Sequence, residues 1–224
     1  MAIHGKELAG MIDATILGKE ATREDLVHLA DMAKQYGFFS CAFAFPCWLP
    51  MMVEELKGTG IKCIGGASSF QGNEPIELKV AMARWNVEHG CGEMENFMNY
   101  SYFKSGMYDE VVKDIRAVRE VVPDMVYKVI LETPILSDDE IRTACDLCID
   151  GGVDYVKTGT GLLGATDVHT IEVISKAVKG RAKIKASGGI RTIETVDAML
   201  DLGVARFGAG LASAIKLVEA ADQR

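Results

Sequence analysis

The sequence lacks the features of a linker and of a basic surface. Its 224 residues include five prolines, and no Pro- or Gly-rich tract divides them, so we expect one domain over residues 1–224. No run of Lys and Arg is present, and the formal net charge is −8. This charge argues against a nucleic-acid partner. A small anion could still bind at a local positive site.

Long apolar stretches are absent as well. None approaches the roughly 20 residues that cross a bilayer, and residues 1–6 lack the apolar core of a signal peptide. We therefore expect a cytoplasmic protein with no membrane partner.

The six cysteines are not spaced like those of a disulfide-rich protein, and we expect no disulfides in the cytoplasm. Cys145 and Cys148 form a Cys-x-x-Cys within a predicted helix, without a second pair or a nearby histidine. We interpret them as thiols on a helix face and predict no metal site, since the four histidines form no metal-spaced cluster either.

The remaining pattern alternates strands with helices. Strands are predicted at 11–15, 40–45, 61–65, 93–98, 126–131, 155–158, 183–186 and 205–208. Helices are predicted at 23–36, 75–88, 108–122, 138–149, 168–178 and 193–202, with room for a short helix between strands 2 and 3. Eight such units favour an α/β fold, a single (β/α)8 TIM barrel.

Two lysines end neighbouring predicted strands, and each is followed by a glycine-rich turn. Lys157 lies close to the end of strand 6 and Lys185 close to the end of strand 7, while Asp13 lies near the end of strand 1 and Glu95 in strand 4. Because the chemistry of such barrels collects at these ends, we expect the four side chains to converge. Two ammonium groups close together lower each other's pKa, and this favours a nucleophilic amine.

Five segments carry a family resemblance. They are Ile12-Asp13-Ala14-Thr15, Pro75 through Glu88 leading into Gly90, Lys128-Val129-Ile130-Leu131-Glu132-Thr133, Val156-Lys157-Thr158-Gly159-Thr160-Gly161 and Lys185-Ala186-Ser187-Gly188-Gly189-Ile190-Arg191-Thr192. The chain resembles the 2-deoxyribose-5-phosphate aldolase family, class I aldolases that form a Schiff base with an aldehyde and need no metal or organic cofactor. The resemblance implies that Lys157 forms the Schiff base, that Lys185 lowers its pKa, and that Asp13 and Glu95 move protons. Glu95 is one methylene longer than the family's aspartate.

Other departures concern phosphate. Leu162 stands where the family usually has a phosphate-binding lysine, and the strand 8 exit reads Gly208-Ala209-Gly210 without the family's serine hydroxyl. The backbone remains, with helices predicted to open at Gly188 and Gly208, and N–H groups there could hold an anion. The predicted anion-binding residues are Gly161, Gly188, Gly189, Ile190, Gly208 and Gly210. Aromatic residues in 43–48 and 99–103 are expected around the barrel mouth.

We therefore expect an aldehyde-lyase that reversibly cleaves 2-deoxyribose 5-phosphate or a related hydroxy-carbonyl compound. We also expect a homo-oligomer, a dimer or a tetramer. One alternative is an imine-forming lyase or C–C hydrolase that acts on an unphosphorylated hydroxyketone or ring ketone, which Leu162, Gly210 and the aromatic residues favour. A non-catalytic ligand-binding barrel and a phosphate-binding isomerase or epimerase are the others.

Overall fold

Eight parallel strands close into one barrel in the computed structural model, which describes residues 3–224, because the first strand pairs with both the second and the eighth. Met1 and Ala2, part of the predicted domain and of the segment compared with a signal peptide, lie outside the described residues. The strands are β1 Ile12–Ile16, β2 Ser40–Phe43, β3 Lys62–Gly66, β4 Glu93–Phe97, β5 Tyr127–Ile130, β6 Tyr155–Lys157, β7 Lys183–Ser187 and β8 Val204–Gly210. The predicted (β/α)8 TIM barrel is confirmed.

Helices alternate with these strands around the barrel. They are α1 Gly5–Ala9, α2 Arg23–Tyr36, α3 Leu49–Glu55, α4 Ile76–Glu88, α5 Tyr100–Lys104, α6 Tyr108–Val121, α7 Asp138–Asp150, α8 Val168–Val178, α9 Ile193–Asp201 and α10 Leu211–Asp222. The six predicted helices and the short α3 are confirmed, α1 and α5 were not predicted, and α10 was expected only as a helix that opens at Gly208. Thr22 and Asp25 form a capping box that fixes the start of α2.

Two predicted helix starts are wrong. Residues 188–192 form a loop, and α9 begins at Ile193 after Thr192 caps it. Gly208–Gly210 continue β8, where Gly208 and Gly210 pair with Asp13 and Thr15, and α10 begins only at Leu211. Glycines carry no side chain that marks a strand by composition, so the pairing of β8 with β1 was not visible in the sequence.

The barrel is apolar outside and ionic inside. Met94, Val129 and Val156 belong to the hydrophobic core that the helices cover. Glu93 and Glu95, which flank Met94 on β4, point to the opposite face because side chains alternate along a strand. The interior of such a barrel usually contains branched apolar side chains, so charged side chains there indicate a candidate functional site.

Within residues 3–224, neither the cysteines nor the helices indicate a disulfide, a metal site or a membrane-spanning segment. All six cysteines are free thiols, and Cys145 and Cys148 are buried in α7, where burial raises the pKa of Cys145 to about 12. Within residues 3–224, no cluster of three or more His, Cys, Asp or Glu side chains could hold a metal ion. In the same range, no helix is long and apolar enough to cross a membrane.

Candidate active site

Glu95 joins the two lysines that the sequence singled out. Its Oε2 lies 2.6 Å from Lys157 Nζ and its Oε1 lies 2.6 Å from Lys185 Nζ. Lys157 and Lys185 are partners in the register of β6 and β7, so the backbone pairing sets both amines side by side. Asp13 Oδ2 completes the group at 2.5 Å from Lys185 Nζ. The structure thus brings together all four predicted catalytic residues.

Three further charged residues extend this group below Glu95. Lys128 on β5 forms an ion pair with Glu93 and lies 3.4 Å from Asp13 Oδ2. Arg206 on β8 donates to Asp13 Oδ1 at 2.9 Å, and its guanidinium carbon lies 3.4 Å from the centroid of the Phe39 ring. Sequence reasoning missed these residues. The signal was present in the spacing of Glu93 and Glu95, two positions apart on a strand, which places both side chains on one face.

The charges of this interior cluster do not balance when every group is ionised. It contains four cations, Lys128, Lys157, Lys185 and Arg206, and three carboxylates, Asp13, Glu93 and Glu95, all buried. Because a buried uncompensated charge is costly, the balanced state has one neutral amine. Lys157 is the amine at the open end of the cluster, with 8% of its surface exposed against none for Lys128 and Lys185.

The pKa of Lys157 is shifted toward the neutral amine. Burial lowers this pKa most, Glu95 raises it, and the charges of Lys185 and Lys128 lower it again, so that the resulting pKa is about 8. We expected repulsion by Lys185 to be the main cause, but burial is the larger one. Lys128 shows the opposite behaviour: although burial opposes its charge, Asp13, Glu95 and Glu93 raise its pKa above the usual value.

The two predicted carboxylates are ionised at neutral pH. Burial favours the neutral acid in both, but Lys128, Lys185 and Arg206 outweigh it and hold the pKa of Asp13 well below its usual range. Likewise, despite burial, Lys157, Lys185 and Lys128 hold the pKa of Glu95 well below its usual range. Both carboxylates can therefore stabilise positive charge on a neighbouring nitrogen.

A cavity of about 610 Å³ opens above this cluster at the C-terminal ends of the strands. Lys157 and Glu95 line it, while Asp13 and Lys185 are fully buried beneath and are not among the described lining residues. Lys185 pairs with Glu95 and its charge lowers the pKa of Lys157, and Asp13 pairs with Lys185, so both influence the residues that line the cavity without reaching it.

The cavity has an apolar wall and a polar wall. The apolar wall comes from the β2 to β4 side and includes Phe43, Pro46, Leu49, Ile64, Phe70 and Phe97. Of the aromatic residues expected around the mouth, Phe43 lines the cavity. Phe45, Trp48, Tyr100, Tyr102 and Phe103 are outside its described lining and pack against the hydrophobic core. The polar wall comes from the β6 to β8 side.

Five of the six predicted anion-binding residues lie in that polar wall: Gly188, Gly189, Ile190, Gly208 and Gly210. Gly161 is outside the described lining. Its backbone packs against Gly188, so closely that a Cβ on Gly188 would lie 2.9 Å from Gly161 N. Leu162 is also outside it, with 60% of its surface exposed.

Buried hydrogen bonds fix the ends of β6 and β7 against each other. Thr158 Oγ1 donates to the Ser187 carbonyl at 2.7 Å and accepts from Ser187 N at 2.9 Å. Thr166 Oγ1 donates to the same carbonyl at 2.7 Å, and Glu132 accepts from Thr160 N. The sequence did not indicate these contacts. They hold the strand that carries Lys157 at a fixed distance from the glycine loop 188–192.

Comparisons with known proteins agree with this geometry. The deoxyribose-phosphate aldolase of Caldanaerobacter subterraneus subsp. tengcongensis is 39% identical over 216 residues, which cover 95% of this chain and 92% of the relative. A structure from Coccidioides immitis, provisionally assigned as a deoxyribose-phosphate aldolase, superposes with a TM-score of 0.92 at 34% identity, over 98% of this chain and 87% of the other.

The tetrameric deoxyribose phosphate aldolase of Aeropyrum pernix superposes with a TM-score of 0.87 at 27% identity, over 96% of this chain and 91% of the other. No family model matches the chain. Fold, site and relatives together define a barrel aldolase, a lyase that performs retro-aldol cleavage. Within that class, the chain belongs to the deoxyribose-phosphate aldolase family.

Proposed function

We propose that the protein cleaves 2-deoxyribose 5-phosphate, or a closely related hydroxy-carbonyl compound, through a Schiff base on Lys157. The observation that carries this proposal is the position of Lys157, a buried amine with a pKa of about 8 that lines the cavity and contacts Glu95. An amine that is partly neutral near pH 7 to 8 can attack a carbonyl.

The reaction begins when the Lys157 nitrogen adds to the aldehyde carbon of the open-chain sugar. Loss of water leaves a protonated imine, whose positive charge the Glu95 carboxylate stabilises because Oε2 lies 2.6 Å from that nitrogen. The C2–C3 bond then breaks, and its electron pair moves toward the iminium to give an enamine. The proton of the C3 hydroxyl passes to Glu95, directly or through water.

Cleavage is completed by a proton returning to the enamine carbon. Lys185 contacts both Glu95 and Asp13, so it can resupply the proton through Glu95. Hydrolysis of the resulting imine releases acetaldehyde from Lys157, and the other product is glyceraldehyde 3-phosphate. This sequence uses side chains of the chain alone, and we propose that the reaction is independent of metal.

Location, metabolic role and assembly stay predictions. A sugar-phosphate substrate would place the enzyme in carbohydrate metabolism, and cell fractionation tests the cytoplasmic location expected from the sequence. The Aeropyrum pernix relative is a tetramer, which supports a homo-oligomer here, and light scattering measures that state. The relatives are aldolases and give no support to the C–C hydrolase alternative.

A coupled assay for acetaldehyde tests the proposed reaction. Purified protein should cleave 2-deoxyribose 5-phosphate with a kcat/KM of about 10⁴ M⁻¹s⁻¹ or more, and Lys157→Leu should reduce turnover to background. Substantial turnover by the Lys157→Leu variant would show that the chemistry does not need an imine at this position.

A further inference from the structure

The active-site cavity is positively charged in a protein whose net charge is −8. Lys19, Lys157 and Arg191 line the cavity, and Glu95 is the one carboxylate in its described lining. Glu95 is already paired with Lys157 and Lys185 beneath the cavity floor. The charges of Lys19 and Arg191 are therefore in excess, and a cavity of this kind attracts anions.

Lys19 and Arg191 are both exposed, and their charged groups have no partner among the residues that the structure describes. Among residues 3–224, neither side chain forms a salt bridge or a hydrogen bond with another residue. Arg206, by contrast, is buried and paired with Asp13. A cation that lines a cavity without a partner is available to a ligand.

The two cations line the cavity from different segments. Lys19 lies between β1 and α2, and β1 pairs with β8 up to Gly210. Arg191 follows Gly188–Ile190 after β7, and Ser213 in the first turn of α10 also lines the cavity. A lysine, an arginine and a serine from three separate segments thus line the same cavity. Leu162, in contrast, is outside the described lining.

We propose that Lys19 is a specificity-determining residue whose ammonium binds the terminal phosphate of the substrate, with Arg191 and Ser213 as further donors. Donors from three separate segments suit the three terminal oxygens of a phosphate monoester better than the two oxygens of a carboxylate. This inference rests on the proposed function and replaces the expectation that the site has lost its phosphate-binding side chains. The β1–α2 loop supplies a charge that the sequence motifs did not reveal.

The test compares Lys19→Gln with Lys176→Gln, which removes the same charge from an exposed lysine of α8 outside the described lining. Kinetics are measured with 2-deoxyribose 5-phosphate and with unphosphorylated 2-deoxyribose. Lys19→Gln should lower the ratio of the two kcat/KM values by about tenfold or more, mainly through the KM of the phosphorylated sugar. A ratio that changes no more than in Lys176→Gln overturns the inference.

Inorganic phosphate provides a measurement that does not depend on catalysis. A ligand that binds the folded state raises the Tm, so phosphate should raise the Tm of Lys176→Gln more than that of Lys19→Gln. Equal rises in the two variants count against the role of Lys19. If neither sugar is cleaved by the unmodified protein, the proposed function fails, and the phosphate-dependent Tm then decides the role of Lys19 by itself.

Discussion

Lys157 and Lys185 are paired in the register of β6 and β7, and each has its Nζ 2.6 Å from a different oxygen of Glu95. One carboxylate therefore stands between an amine that lines the cavity and an amine that is fully buried. This arrangement brings Lys185 close enough to lower the pKa of Lys157, and we propose that Glu95 transmits protons between the two lysines.

Shortening Glu95 tests this bridge. In Glu95→Asp the carboxylate withdraws by about one bond length, roughly 1.5 Å, and can no longer contact both lysines. We expect kcat to fall by about 10- to 100-fold, since proton transfer is sensitive to displacements of this size. Glu93→Asp is the matched control on the same strand, because Glu93 contacts Lys128 and Arg206 outside the described cavity lining. Equal losses in the two variants would argue against a special role for Glu95.

The pH dependence of imine formation reports the pKa of Lys157. The protonated amine is not nucleophilic, so kcat/KM should rise with pH and level off above about pH 8, the lowered pKa of Lys157. An inflection near the roughly 10.4 of an unperturbed lysine contradicts the proposed environment. Stopped-flow kinetics across pH 6 to 10 provide the measurement.

Removing Lys128 tests the charge balance of the barrel interior. Lys128→Met leaves Glu93 without its closest partner, and loss of one member of a buried pair typically costs about 3–5 kcal/mol in the free energy of unfolding. The pKa of Lys157 should rise, because Lys128 is one of the charges that lower it. Urea unfolding and the pH profile measure the two effects.

The double variant Lys128→Met/Glu93→Gln provides the control for that experiment. It removes both charges of the pair, so much of the lost stability should return. If the double variant is as unstable as the sum of the single variants, the two residues are not coupled as the structure indicates.

Much of the site was predictable because its residues lie near the ends of strands, and a closed barrel brings these ends together. Lys157, Lys185 and Asp13 each lie near a predicted strand end. The roles of Lys128 and Arg206 were not predicted, since the contacts of their side chains across the barrel interior depend on the register of its strands. Lys19 was missed for a related reason: its loop has no motif, and its position depends on how β1 pairs with β8.

Gly189 tests why the loop after β7 needs glycine. Gly189 has φ +72°, and a Cβ there would come within 2.6 Å of Ala165 Cβ. We expect Gly189→Ala to lower the free energy of unfolding by about 2 kcal/mol or more and to raise the KM of the phosphorylated sugar. Gly180→Ala is the control, because its φ is +76° but no atom lies within 4 Å of the added Cβ. Its loss should be smaller, about 1 kcal/mol, and its KM should not change.

Metal removal tests the proposed metal independence. Dialysis against EDTA should leave kcat unchanged, and adding Zn²⁺ or Mg²⁺ afterwards should not increase it. A loss of activity that one of these ions restores would assign a Lewis acid to the reaction.

The identity of the imine-forming residue is the central claim, and borohydride trapping tests it most directly. Reduction in the presence of 2-deoxyribose 5-phosphate, followed by peptide mass spectrometry, should place a covalent adduct on Lys157. Lys185→Met should lower the rate of trapping without moving the adduct. An adduct on Lys185 or Lys128, or no adduct in a protein that still cleaves the sugar, would contradict the account.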